Sequence, residues 1–439
     1  MRHRYEVSSQ RQARRRDLER LCALLLVTCA AVALTRHLAV NHRNFDIRVY
    51  VGAVTSWVDG GDLYAYGIGN RHLGFTYPPF AALLMAPMTL LPRAVVIAAN
   101  ASLIAVAAAV VTRMCVSGSR LAARYGALLT TAFALPVAML LQPLRDTLGF
   151  GQVNLFLAVL VLADLVALRR GSRWAGVGAG LATAIKLTPG LFVVFLLLVG
   201  ERRAARNGVL AAAAATLATA AVAPGTSWTY WTSALFDSSR VGHHDDAANQ
   251  SIGGVLARLS ESQHLPTGPW LLAVAVVLPL GLWRARAAWR NGDDLAAYAL
   301  VGLTAGLVSP ITWVHHLVWL VPALVVIVDT GLARVKGQGA TVRRRAAAQL
   351  LLAATTVGLF ASGVNLNVGQ HVGHHLTRGL GVILGENAYG VWTLLLLLTV
   401  PTDRRSDVRT AHPKPPRVRV TVDQPTEGQV REREQPAPR

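Results

Sequence analysis

Apolar residues run along this chain in stretches of roughly a crossing's length, separated by short clusters rich in Arg, Gly and Pro. A helix needs about 20 apolar residues to cross the hydrocarbon core of a bilayer, so each stretch is a candidate crossing. Full spans are expected near 21–36, 95–112, 125–141, 153–168, 207–223, 269–283, 295–312, 316–331, 346–363 and 387–400, ten in all. The first follows Arg14, Arg15 and Arg16 but has no small-x-small cleavage site, and it reads as an uncleaved anchor.

Three segments depart from this pattern. The stretch 174–199 has Arg169, Arg170 and Arg173 before it and Arg202, Arg203 and Arg206 after it, while Lys186 and Pro189 interrupt its middle. A lone cation at the centre of a spanning helix costs about 2.5–3.5 kcal/mol. A hairpin of two short helices, with Lys186 at its tip on the far side, avoids that cost. The segment 80–91 follows Pro78 and Pro79, contains Pro87, and is expected to be re-entrant or interfacial. After Asp46, the residues Ile47, Tyr50, Val51, Val54, Trp57 and Val58 recur at helical spacing and predict an amphipathic helix lying on the outer surface.

Composition supports an all-α polytopic membrane protein rather than a string of soluble domains: 53% of the 439 residues are hydrophobic and only 15% charged. The net charge of +20 would fit a nucleic-acid partner if the cations shared one soluble face. With the N-terminus inside, however, 33 of the 43 Lys and Arg fall on the cytoplasmic side and 10 on the other. The positive-inside rule therefore accounts for the charge, and no nucleic acid is implied. Cys22, Cys29 and Cys115 show neither paired nor CxxC spacing. The chain divides into a basic cytoplasmic N-terminus (1–20), a transmembrane domain (21–400) with large outer loops at 37–94 and 224–268, and a Pro-, Arg- and Glu-rich tail (401–439) expected to be disordered in the cytoplasm.

On this topology the unusual polar strings all lie outside: NFDIRVY, GGDLYAY, FTYPPF, GFGQVN, IKLTP, HHDDAANQS and SPITWVHH. A transporter keeps its polar site near the midplane, often between repeated halves, whereas an enzyme on a membrane-borne substrate keeps it at one interface. The second pattern is present. Asp46 is either an N-cap or a general base. Arg48 is a phosphate ligand or a surface cation, and Asp59 and Asp62 suit turns and caps. Tyr77 stacks on a sugar or anchors an interface, and Gln152 and Asn154 bind hydroxyls or cap a helix. Lys186 at a hairpin tip meets a lipid phosphate or snorkels. His315 and His316 point about 100° apart on a helix, so one is expected to face a common cavity. His243, His244, Asp245 and Asp246, and His371, His374 and His375, are weak metal-binding patterns. No P-loop or strand-flanked GxGxxG provides for a cytosolic nucleotide donor.

The run from Asn44 to Pro92, NFDIRVYVGAVTSWVDGGDLY with FTYPPFAALLMAPMTLLP, resembles glycosyltransferase family 87, the polyprenyl-phosphomannose-dependent α-(1→2)-mannosyltransferases. GQVNLFLAVLVLADL, WAGVGAGLATAIKLTP and SPITWVHHLVW extend the resemblance over most of the chain. It implies a C-type glycosyltransferase (GT-C) fold in a bacterial plasma membrane, with a cavity on the extracytoplasmic side. It further implies a polyprenyl-phosphate-mannose donor, a mannosylated glycolipid or lipoglycan acceptor, membrane lipids as neighbours, and inversion from a β-linked donor to an α-linked product. The acidic residue of the first outer loop, here Asp46, is implied as the catalytic base. Lys186, His315, His316 and Arg48 are then the candidates for the donor phosphate, and Tyr77, Gln152, Asn154, Asn249 and Gln250 for the sugar or acceptor. A monophosphate leaving group beside such cations needs neither cofactor nor divalent metal. The alternatives are a lipid-linked sugar flippase and a related transferase using another polyprenyl-linked sugar.

Overall fold

The computed structural model describes residues 42–69, 73–335, 337–365 and 380–403, together with 24–26, 28, 29 and 33. Most of the expected first span, the His371, His374 and His375 cluster and nearly all of the tail lie outside these residues. Within them the chain is helical, with one two-stranded antiparallel ribbon pairing Gly67–Ile68 with Leu73–Gly74.

Among the described residues, five helices are long and apolar enough to cross a membrane: Arg93–Val116, Arg202–Val222, Thr267–Arg290, Val314–Val335 and Ala340–Ser362. A sixth crossing results if Ala127–Leu140 and Gln142–Phe150, bent by 77° at their junction, form one span. Leu141 leaves the helical region there, with ψ 129°, and Pro143 starts the next helix in its first turn. The expected spans at 153–168 and 295–312 are shorter helices, Asn154–Arg169 and Asp294–Val308. At 1.5 Å per residue they run about 23 Å, less than the roughly 30 Å of a bilayer core. The second is cut short by the Asp293 cap, which accepts from Ala296 N at 3.2 Å, and by Ser309–Pro310 at its far end.

Asp294–Val308 is buried on every face from Asp294 to Leu307, so the apolar core is built around it. The long helices instead turn apolar side chains outward, among them Val106, Leu217 and Leu272, as lipid-facing surfaces do.

The interrupted stretch folds as the hairpin its charges predict. Val177–Ile185 and Gly190–Leu198 flank a break at Lys186–Pro189, and Ala175 and Leu196, at their outer ends, share a cluster with Ala204 and Ala205. Asp164 accepts from Gly178 N (3.1 Å) and Ala179 N (2.6 Å), placing a carboxylate at the positive end of the first hairpin helix. Glycine lets that helix press backbone to backbone on Arg202–Val222: a Cβ on Gly180 would stand 2.2 Å from Gly208 O. Gly180→Ala is therefore expected to lower the yield of monodisperse protein in detergent chromatography and its thermal midpoint. Gly268→Ala, at a site with nothing within 4 Å, should leave both unchanged.

The predicted surface helix is Phe45–Val58, with Ile47, Val49, Tyr50, Ala53 and Val54 buried and Trp57 Nε1 donating to Thr226 Oγ1 at 2.9 Å. It ends at Asp59 and Gly60, the latter at φ 93°, and Asp62 accepts from Tyr64 N in the turn beyond. In the segment expected to be re-entrant or interfacial, a short helix, Pro79–Met85, and a 3-10 turn, Ala86–Leu90, follow Pro78.

Candidate active site

A cavity of about 500 Å³ collects side chains from the surface helix, the kinked helix Gln142–Phe150, the hairpin tip and the 309–316 segment. Asp46 is the second residue of its helix, yet it caps nothing. The cap position is Asn44, in the left-handed region at φ 52°, and its side chain makes no capping hydrogen bond. The Asp46 carboxylate faces the cavity, where its Oδ2 accepts from Gln152 Nε2 at 2.7 Å. The Gln152 amide is oriented from behind, because its Oε1 accepts from Tyr77 Oη at 3.0 Å, and Tyr77 Oη lies 2.9 Å from Tyr50 Oη. Glycine is required at 151: its φ is 78°, and a Cβ would stand 2.8 Å from Ile47 Cβ. That close approach brings Gln152 up to the Asp46 helix.

Burial pushes the Asp46 carboxyl up to about 6, against the opposing influence of the Gln152 hydrogen bond and of the Lys186 and His42 charges. A carboxylate in that range is a better proton acceptor than an exposed one and still ionised at neutral pH.

Lys186 stands at the hairpin break with an extended backbone, φ −151° and ψ 129°. Its Nζ donates to Asn154 Oδ1 at 3.1 Å, lies 2.8 Å from His316 Nε2, and sits 5.2 Å above the Tyr77 ring. Both histidines line the cavity, rather than one. They belong to a 3-10 segment, Val314–Trp319, that breaks at Leu317 (φ −80°, ψ 30°), so the regular-helix argument does not hold there. The freed His315 carbonyl accepts from Asn154 Nδ2 at 3.1 Å.

Four expected ligands are placed otherwise. Arg48 is exposed and off the cavity lining, because two residues along a helix from Asp46 lies about 200° around it. Asn249 and Gln250 are wholly buried and serve the backbone. Asn249 Oδ1 accepts from Thr312 N (2.9 Å) and its Nδ2 donates to His244 O (3.0 Å), while Gln250 bridges Glu386 O and Gly390 N. Asn154 stands behind the wall, joining Lys186 to the His315 carbonyl, with neither polar atom turned to the cavity. Tyr77 does line the cavity, but its hydroxyl and one ring face are already engaged.

The sequence reading missed His42, Asp146, Tyr64, Tyr230 and Arg240, all in the lining. Arg240 donates to the carbonyls of Tyr64 and Phe75 and lies over the Tyr64 ring, and the Tyr230 ring is 5.6 Å from that ring. The available signal was a pair of charges, Arg145 and Asp146, in the short connection between two apolar runs. Among the described residues, no three His, Cys, Asp or Glu side chains gather as a metal-binding group, His243, His244, Asp245 and Asp246 included.

One hollow thus holds a half-buried carboxylate, a cation and two imidazoles, the set needed to take a proton from a hydroxyl and to steady an anionic leaving group. The sequence pattern of glycosyltransferase family 87 matches residues 75–310, more than half of the chain. The chain belongs to glycosyltransferase family 87. A polyprenol-phosphate-mannose-dependent alpha-(1-2)-phosphatidylinositol mannoside mannosyltransferase of Mycobacterium tuberculosis is 33% identical over 327 residues, 70% of this chain and 75% of its own. The protein of the same name from Mycolicibacterium smegmatis is 36% identical over 305 residues, 64% of this chain and 69% of its own. A pentamannoside mannosyltransferase from that organism is 36% identical over 341 residues, 73% and 78% of the two chains. No solved structure matches the chain. Lys186 and Gln152 fall inside the family match, whereas Asp46 lies before its start and His315 and His316 lie just past its end.

Proposed function

We propose that this family 87 chain is an inverting α-(1→2)-mannosyltransferase that moves mannose from polyprenyl-phosphate-mannose to a hydroxyl of a mannoside glycolipid, a phosphatidylinositol mannoside by analogy with its named relatives. The observation that carries the reading is the facing of Asp46 and the Lys186–His316 pair across one cavity. In the reaction the Asp46 carboxylate takes the acceptor hydroxyl proton as that oxygen attacks C1 of the mannose. The bond from C1 to the phosphate oxygen breaks on the opposite face, and the lipid phosphate leaves with the bonding pair. Lys186 meets the charge that develops on it, and His315 and His316 complete the polar wall.

An apolar groove of about 890 Å³ supports a lipid-borne substrate. It lies between Arg93–Val116, Ala127–Leu140, Leu320–Val335 and Ala340–Ser362, with Phe133, Val325 and Val357 in its walls, and an isoprenoid chain has the matching chemistry. The finer architecture is proposed with the function: a GT-C fold of ten crossings, both termini in the cytoplasm and the cavity outside. The distribution of Lys and Arg supports that orientation.

The test uses membranes containing the full chain, a purified polyprenyl-phosphate-[³H]mannose and a mannoside acceptor. Label is expected to enter a product sensitive to α-(1→2)-mannosidase. Movement of labelled donor between vesicle leaflets, with no glycosidic bond formed, would replace this reading with a flippase.

A further inference from the structure

The turn that delivers Asp46 has a demanding backbone. Arg43 and Asn44, neither of them glycine, sit consecutively in the left-handed region at φ 49° and 52°, and Phe45 N closes the turn on His42 O at 3.0 Å. Residues hold such conformations only where their surroundings impose them. Here the surroundings are the kinked helix Gln142–Phe150. Asn44 N donates to Gly149 O at 3.0 Å, the His42 ring stacks on Phe150 with centroids 3.8 Å apart and planes 19° apart, and His42 Nε2 lies 3.0 Å from Asp146 Oδ1.

Asp146 is itself held. It is buried, its Oδ2 accepts from Gln142 Nε2 at 3.2 Å, and Gln142 Oε1 accepts from Tyr389 Oη at 2.7 Å. A continuous line of hydrogen bonds therefore runs from the Leu380–Thr399 helix through Gln142 and Asp146 to His42, four residues before Asp46. The same kinked helix is followed by Gly151 and Gln152, the donor to Asp46. The carboxylate is thus fixed from two sides by one element, through Gln152 at its oxygen and through His42 at its backbone.

We infer that His42 and Asp146 are positioning residues: a latch that docks the 42–44 turn on the kinked helix and sets where the Asp46 carboxylate stands in the cavity. Neither is assigned contact with the reacting atoms. The inference rests on Asp46 being the base. A base displaced by about an ångström still lets the donor bind but loses its line to the hydroxyl, so the latch acts on turnover more than on donor affinity.

The experiment compares Asp146→Asn, His42→Ala, His42→Gln and the double variant His42→Ala/Asp146→Asn with Asp46→Asn, each as the full chain in membranes, with rates per amount of protein that is monodisperse on detergent chromatography. Asp146→Asn and His42→Ala are expected to lower kcat roughly 10- to 30-fold with donor KM within about twofold. His42→Gln, whose amide can still reach Asp146, should recover part of the loss. The double variant should be no worse than the poorer single one, since both remove the same contact. His42→Ala should also move the acid limb of the pH profile to higher pH, because burial raises the Asp46 carboxyl and the His42 charge, with Lys186 and the Gln152 amide, opposes that rise, whereas a lesion that merely opened the site to water would move the limb to lower pH. Wild-type kcat in both single variants, or a rise in KM that accounts for the whole loss, overturns the latch. If His42→Ala and Asp146→Asn fail to fold, an unchanged kcat and pH profile in His42→Gln and its partner variant Asp146→Glu overturns it, and a lowered kcat in either supports it. Full activity of Asp46→Asn would instead sink the reading of the site on which the latch depends.

Discussion

Asp46→Asn is expected to abolish most transfer, leaving about one part in 10² to 10⁴ of the wild-type kcat, the range general-base removal costs. The substitution is close to isosteric, and Gln152 Nε2 can still donate to the new amide oxygen, so the helix start and the cavity wall should survive. Only the proton acceptor goes. The pH dependence follows with a definite sign. Burial raises the Asp46 carboxyl to about 6, and a protonated carboxyl cannot accept the acceptor's proton. The rate should therefore be low below that value and rise as pH passes through about 6; the Asn variant should lack this limb. Initial rates with saturating acceptor, at constant ionic strength from pH 5 to 8, measure both effects. An unchanged rate in the Asn variant would remove Asp46 from the mechanism.

Much of this arrangement could be read from residue order because it follows from local rules. The spacing of Ile47, Tyr50 and Val54 fixed one face of the surface helix, and charges at both ends with Lys186 and Pro189 in the middle dictated a hairpin. Long-range pairing was another matter. Asp46 and Gln152 are 106 positions apart, and Lys186 and His316 are 130 apart, so no periodicity links them. Asn249 and Gln250 stand apart from the cavity for an instructive reason. In an apolar interior a polar side chain serves either a ligand or a backbone group, and here the irregular segments at 247–250 and 310–312 and one turn of the Leu380–Thr399 helix present carbonyls and N–H groups that these two amides bond. Arg48 could have been excluded by the same 100° step that made the helix visible. Apolar runs also overstate helix length, since the 295–312 run includes Ser309, Pro310 and the irregular chain beyond the helix end at Val308.

Lys186→Met is the second large effect, expected to lower kcat by roughly 10²- to 10³-fold, as loss of one preorganised charge-stabilising donor does. Methionine keeps most of the length and apolar stem, so the hairpin should still pack. The loss should fall on kcat more than on donor KM. The departing phosphate carries more charge in the transition state than in the bound donor, and only the interaction that grows during the reaction accelerates it. Lys186→Arg should recover only part of the rate. A planar guanidinium cannot reproduce a compact ammonium 3.1 Å from Asn154 Oδ1, 2.8 Å from His316 Nε2 and over the Tyr77 face. The same comparison separates two roles for this cation. If Lys186 only kept Asp46 ionised, its removal would shift the acid limb of the pH profile upward and the rate would return at high pH. If it stabilises the leaving phosphate, the plateau itself drops and no pH restores it. Donor-saturated rates of Lys186→Met from pH 5 to 9 decide between these, and a plateau within threefold of wild type would take the leaving-group role away from Lys186.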